Sequence, residues 1–201
     1  MNRPSRTKVG NLILVAGLVG LVRPAAADPR PILRIAVLVS DDAGVRPDVV
    51  GRAELEISRI YRYVGIDIAW TQNAPDRILV IISRQSPGRL PVAETALGAA
   101  IATPEDQGRT AYIFYDRVER VTQTYLHGSI ERRDTYDVVM LAHVMAHELG
   151  HLLLPYGHSA TGLMRADWNA KDLRLAADGR LNFTSEQAEL IRGGLLTQVA
   201  R

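Results

Sequence analysis

Residues 140–154 read MLAHVMAHELGHLLL, a stretch whose only polar side chains are three histidines and one glutamate. A helix of this composition is apolar nearly all round, through Met145, Leu149, Leu152 and Leu153 among others, and so belongs inside a domain. Two histidines and a glutamate buried there without partners would each cost free energy. Whatever the chain folds into must therefore bring partners to His147, Glu148 and His151.

Their spacing says what the partner is. On a helix, positions four apart differ by about 40° in direction and about 6 Å in height. His147 and His151 then project from one face, and their imidazoles converge on a single zinc ion at about 2.0–2.1 Å. Glu148 lies about 100° round from His147, placed to reach a zinc-bound water without occupying the metal. HELGH thus supplies two ligands and a general base, the arrangement of a zinc hydrolase. His143 extends the stripe by one turn but stands about 12 Å along the axis from His151, too far for one ion to join both. It reads as a packed residue, hydrogen-bonded near the site. His127, in the loop-like TYLHGS, reads as uninvolved.

A third protein ligand is required. Pro155 ends the helix near Leu153 or Leu154, because the residue before a proline is driven out of helical geometry. Gly157 is then free to take the positive φ that returns the chain toward the metal, with His158 as the third ligand. An extra loop residue adds well under about 1 kcal/mol of closure entropy. Tyr156, inside this loop, reads as a surface residue.

The segment HELGHLLLPYGHSATGLM (147–164) resembles the metzincin clan of zinc endopeptidases, whose long motif is HExxHxxGxxH. Leu154 stands where that clan has glycine, Gly157 stands where it has the last histidine, and His158 comes one place late. In the matrixin-like branch the last histidine is followed by serine and, after a short variable stretch, by a leucine–methionine pair. Here Ser159, Leu163 and Met164 fill those places. The resemblance implies that Met164 is the methionine of a turn beneath the metal, a soft apolar floor rather than a ligand. It also places a wall of the substrate pocket near Trp168. Its implied fold is a single α+β/α/β zinc peptidase domain, a twisted mixed sheet of about five strands with an active-site helix and a C-terminal helix.

The chain order agrees with that plan. ILRIAVLVS (32–40), IDIAWT (66–71) and ILVIIS (78–83) read as strands. Between the first two, a helix begins at Pro47, stops at Gly65 and carries Val50, Ala53, Ile57, Ile60, Tyr61 and Val64 on one face. Strand, helix, strand in that order implies a crossover and a partly parallel sheet. TALGAAIAT (95–103) reads as an edge strand, although its small residues also suit a loop. TAYIFYDRV (110–118) reads as a strand, and the chemistry-bearing helix runs from about Thr135 to Leu154. After Leu154 the chain reads as loop until Thr184 and Gln187, which have capping-box spacing and start a last helix, weakened at its far end by Gly193 and Gly194.

The first 27 residues are of another kind. A basic start, the apolar run NLILVAGLVGLV and the small pair Ala25 and Ala27 read as a secretory signal peptide cut after Ala27. This leaves residues 28–201 as a metallopeptidase domain, secreted or periplasmic, without stable membrane association. Four of the 24 lysines and arginines and none of the 22 acidic residues fall in that segment, so residues 28–201 carry 20 basic and 22 acidic side chains, a net charge of −2. Charge therefore gives no support to nucleic-acid binding. The chain has no cysteine, which excludes thiolate ligands and disulfides.

The expected activity is hydrolysis of peptide bonds in a peptide or protein substrate. Zinc lowers the pKa of its bound water toward about 7, and Glu148 takes the water proton and returns it to the leaving amine. If 95–103 is an edge strand, residues 97–102 would bind an extended peptide by strand addition, with Leu97, Gly98 and Ala99 at the pocket or edge. Two other readings stay open. In one, the third ligand is Glu186 or Glu189 of the last helix, as in thermolysin-like (gluzincin) sites, though Glu186 is also explained by its place in a first helical turn. In the other, the chain is a non-catalytic, zinc-stabilised secreted binding protein. That reading gives Glu148 nothing to do, and a structural site would fill its fourth position with a protein ligand.

Overall fold

The computed structural model describes residues 32–88, 90–102, 109–125 and 130–199. The expected signal peptide and His127 lie outside them.

Five strands, β1 (Leu33–Asp41), β2 (Ile66–Trp70), β3 (Ile78–Ser83), β4 (Gly98–Ala102) and β5 (Arg109–Phe114), form one sheet in the order β2-β1-β3-β5-β4. The first four positions in that order are parallel, and β4 closes the edge antiparallel to β5, with Gly98 opposite Ile113 and Ala102 opposite Arg109. The mixed five-stranded sheet is the one expected. The apolar runs that form it are not buried on both sides, however. Ile35, Val37, Ile66, Ile68, Ile78, Val80, Ile82, Ala111 and Ile113 are buried on one face, whereas Leu38, Leu79, Ile81 and Tyr112 on the other are only half-buried.

The buried face is covered by two helices. α1 (Pro47–Tyr63) lies against β2, and α3 (Ile130–Leu153) lies against β4 and β5, with the two helices packed on each other. Pro47 opens α1, and Gly65, at φ 77°, ends the turn that follows it. Its buried face is Val49, Ala53, Ile57, Ile60 and Tyr61. Val50, expected on that face, is only half-buried, because the helix is rotated to favour its neighbour. Arg192, buried on the last helix α5 (Ser185–Val199), donates to the Gly65 carbonyl at 2.8 Å and so ties the last helix to the turn between α1 and β2.

Three expectations need correction. The run 110–118 is not one strand: β5 stops at Phe114 and α2 (Tyr115–Tyr125) starts at once. Continued alternation from Ala111 and Ile113 would have buried Arg117; instead Val118 and Thr122 are buried, at helical spacing. α3 starts at Ile130, five residues before the expected Thr135. The segment after Trp168 is not all loop, because α4 (Ala170–Ala177) forms there. Its cap is Asn169, whose side chain accepts from the backbone of Lys171 and Asp172 while Asp172 accepts from Asn169. The last helix starts as expected: Thr184 N–H donates to Gln187 Oε1 at 2.9 Å, and Gln187 N–H to Thr184 Oγ1 at 3.3 Å.

Tyr61 ties α1 to the central helix. Its ring meets Phe183 edge-on at 5.2 Å, and its buried hydroxyl donates to the Ala146 carbonyl at 3.0 Å, one residue before His147. Tyr61→Phe should destabilise the fold by about 1 kcal/mol through the lost hydrogen bond, and Tyr61→Ala by about 3–5 kcal/mol through the cavity. Urea unfolding of the two variants measures both; a Tyr61→Phe protein as stable as the parent would show that the hydroxyl contributes nothing.

Candidate metal centre

α3 is buried along its middle, and His147, Glu148 and Leu149 are all shielded from solvent. His147 Nδ1 lies 2.7 Å from the Leu163 carbonyl. A carbonyl only accepts, so Nδ1 carries the proton and the bare lone pair is on Nε2. That Nε2 is 3.0 Å from His151 Nε2. His158 completes the group: one nitrogen from each of the three rings lies within 4.8 Å of the others. Its ring centre is 4.7 Å from that of His151 and 5.4 Å from that of His147.

Burial, chiefly, pushes His147 and His151 down to about 4, with further lowering from the neighbouring imidazoles. Both are therefore neutral at pH 7, the state a metal requires. A shared proton between His147 and His151 would satisfy two nitrogens, but only a metal ion satisfies three. Two nitrogens at zinc-ligand distance and a tetrahedral angle stand about 3.3 Å apart, close to the separation of the α3 pair. The three histidines fit such an ion.

The displaced histidine reaches the pair by a route only half expected. α3 ends at Leu153, and Leu154 N–H still donates to the Gly150 carbonyl at 2.9 Å before Pro155 stops the helix. Leu154, in place of the expected glycine, is buried in the core. Gly157, however, does not take a positive φ; the glycine that does is Gly162, at φ 75°. The chain returns because Ser159 N–H donates to Met164 O at 2.8 Å and Leu163 N–H to Asn182 O at 2.9 Å, a tight turn around Gly162. Met164 is fully buried against Gly150, where any side chain would strike its sulfur. The small residue inside HELGH is thus the seat of Met164.

Glu148 sits against the edge strand. A methyl group at position 98 would lie 2.6 Å from Glu148 Cγ, 2.8 Å from its Oε1 and 2.6 Å from the Tyr112 carbonyl, so only glycine fits there. Burial raises the Glu148 carboxyl to about 8; a divalent cation beside it would draw it back toward the ionised form. Trp168 donates its Nε1–H to the same Leu163 carbonyl at 3.2 Å and meets the His147 ring edge-on at 5.7 Å, so it braces the ligand. Leu97, Gly98, Ala99 and Trp168 all line a cleft of about 1020 Å³ that also contains the three histidines and Glu148.

The remaining residues fall outside the trio. His143 is buried with Nδ1 2.7 Å from the Val139 carbonyl, packed edge-on to Trp168. Tyr156 is at the cleft rim, partly exposed. Among the described residues neither Glu186 nor Glu189 belongs to a group able to hold a metal. Arg117 was not foreseen: its guanidinium donates to the Ala93 and Ala96 carbonyls at 3.0 and 2.7 Å and pins the segment leading into β4. It sits on α2, the helix hidden within the strand-like run 110–118.

No protein-family model matches the sequence, and no curated protein matches it significantly. Among solved structures, the chain is similar to an archaemetzincin from Methanopyrus kandleri. The TM-score is 0.49 and the identity 18%, over 84% of this chain and 98% of that one. What the site does is decided by its own side chains.

Gly98→Ala should lower stability by about 1–3 kcal/mol through overpacking, whereas Gly157→Ala, in open space, should change it by less than about 1 kcal/mol in either direction. Denaturant midpoints of the two variants test this. A Gly157→Ala penalty as large as that of Gly98→Ala would contradict the loop geometry described above.

Proposed function

We propose that this chain is an exported zinc-dependent endopeptidase of the metzincin type. The observation that supports the reading best is the convergence of His147, His151 and His158 within 4.8 Å at the wall of an open cleft, with Glu148 alongside. Three imidazoles without a thiolate, leaving one position open, are a donor set suited to a catalytic zinc. Zinc held there would supply Lewis acidity, polarising a peptide carbonyl and acidifying water.

The protein's own groups do the rest. Glu148 accepts a proton from the attacking water at its carboxylate and passes it to the departing amine. Its rotation is limited by contact with Gly98, so the carboxylate stays beside the cleft. His147 is held in one tautomer by the Leu163 carbonyl, and Trp168 fixes that carbonyl from the other side. Among the described residues β4 pairs with β5 on one side only, and its free edge beside the cleft suits an extended peptide added as a further strand. A peptide so bound would run past Glu148. The non-catalytic reading leaves this carboxylate unexplained, buried and with its pKa raised for no purpose.

Digestion of a mixed peptide library by the zinc-loaded chain, beside two variants, tests the reading. Glu148→Gln should keep one bound zinc and lose at least about 100-fold in rate; His151→Ala should lose both metal and activity. Cleavage that survives in Glu148→Gln would overturn the mechanism.

A further inference from the structure

Gln187 lies outside the cleft, in the first turn of α5, yet its side chain is almost wholly buried, at 1% exposure. Its amide oxygen caps the helix by accepting from Thr184 N–H. Its amide nitrogen, which a cap does not use, donates to Ser159 Oγ at 2.8 Å. Ser159 is the residue after His158, and it is held twice more: its Oγ donates to the Thr161 carbonyl at 2.8 Å and its N–H to Met164 O at 2.8 Å.

The main chain of the loop before it has no comparable support, although the Tyr156 side chain also reaches Gln187. Among the described residues, the backbone N–H groups of Tyr156, Gly157 and His158 donate to no other main-chain group. His158 is the exposed member of the trio, and its ring, unlike that of His147, is not fixed by a hydrogen bond among those residues. Gly157, without a left-handed conformation, does not set the direction of the chain. The place of the third ligand is therefore set from its C-terminal side, where Ser159 is tied both to the Met164 turn and to α5.

We infer that Gln187 is a positioning residue for His158: through Ser159 it anchors the loop so that the histidine meets the pair on α3 despite the extra residue before it. This rests on the metal-centre reading above. It explains why α5, which contributes no ligand, is joined to the site by a buried amide rather than by apolar packing alone. It also explains why the capping residue is glutamine: a glutamate would cap α5 equally well but has no N–H to give Ser159.

The test is zinc affinity, measured on the full chain by competition with a chromophoric chelator, together with the visible absorption of the cobalt(II)-loaded protein, which reports ligand number and geometry. Gln187→Met and Ser159→Ala should each weaken zinc binding by about tenfold or more, as losses of ligand-orienting partners do. The double variant should be little weaker than either single one, because both remove the same link. Thr184→Ala, which damages the cap but spares the Ser159 contact, should lower the melting temperature and leave zinc affinity and the cobalt spectrum unchanged. Ser159→Ala leaves the α5 cap intact, so it keeps the test valid if Gln187→Met fails to fold. Parent-like zinc affinity in Ser159→Ala, or strictly additive effects in the double variant, would overturn the assignment. If His158→Ala also binds zinc as tightly as the parent, the metal centre itself is wrong; if only His158→Ala weakens binding, the centre stands and the role of Gln187 falls.

Discussion

The Leu163 carbonyl accepts from two side chains at once, His147 Nδ1–H and Trp168 Nε1–H. This small junction ties the central helix to the turn that follows it, and much of the molecule is arranged to keep it in place. Leu163 is positioned by its own N–H bond to Asn182, ahead of α5. Met164, the next residue, fills the hollow over Gly150, and Trp168 leads directly into the cap of α4. On the opposite side, Tyr61 holds the Ala146 carbonyl, so the helix carrying His147 is clamped from both flanks. A buried imidazole needs both nitrogens satisfied, and here one is satisfied by the fold and the other is left for a metal.

Much of this was legible because it is local. The spacing of His147 and His151 fixes their relative direction on any helix, and the apolar residues around them require that helix to be interior. Ile35, Val37, Ile66, Ile78 and Val80 announce strands by composition. Thr184 and Gln187 announce a cap by spacing. In each case the relevant geometry lies within one element.

What was not legible depends on contacts between elements or on adjacent patterns that overlap. Tyr115 to Val118 continues a β-like run in composition, and only the burial of Val118 and Thr122 shows that the chain has turned helical. Asn169 and Asp172 had a capping box's spacing, but α4 is short and follows an irregular loop. Gly157 was a reasonable hinge from sequence, yet Gly162 does that work, because the turn is dictated by pairing of Ser159 with Met164 rather than by the residue before His158. Gly98 looked like one more small residue in a poor strand; its identity follows from the carboxylate that lies on it.

The edge strand has a physical consequence of its own. β4 is GAAIA, five residues without a charge or a proline, the two features that commonly keep a free edge from pairing with another chain. What limits such pairing is brevity: a partner laid along five residues gains only a few ladder hydrogen bonds. The same brevity holds for any peptide seated there, so backbone pairing alone gives weak retention. Discrimination by a peptidase of this build would then come from side chains reaching the cleft walls, where Trp168 and Leu97 present bulk and Gly98 presents none. On the proposed function the short edge would act as a low-affinity rail, with selectivity passing to whatever side chains the rail carries past the metal centre.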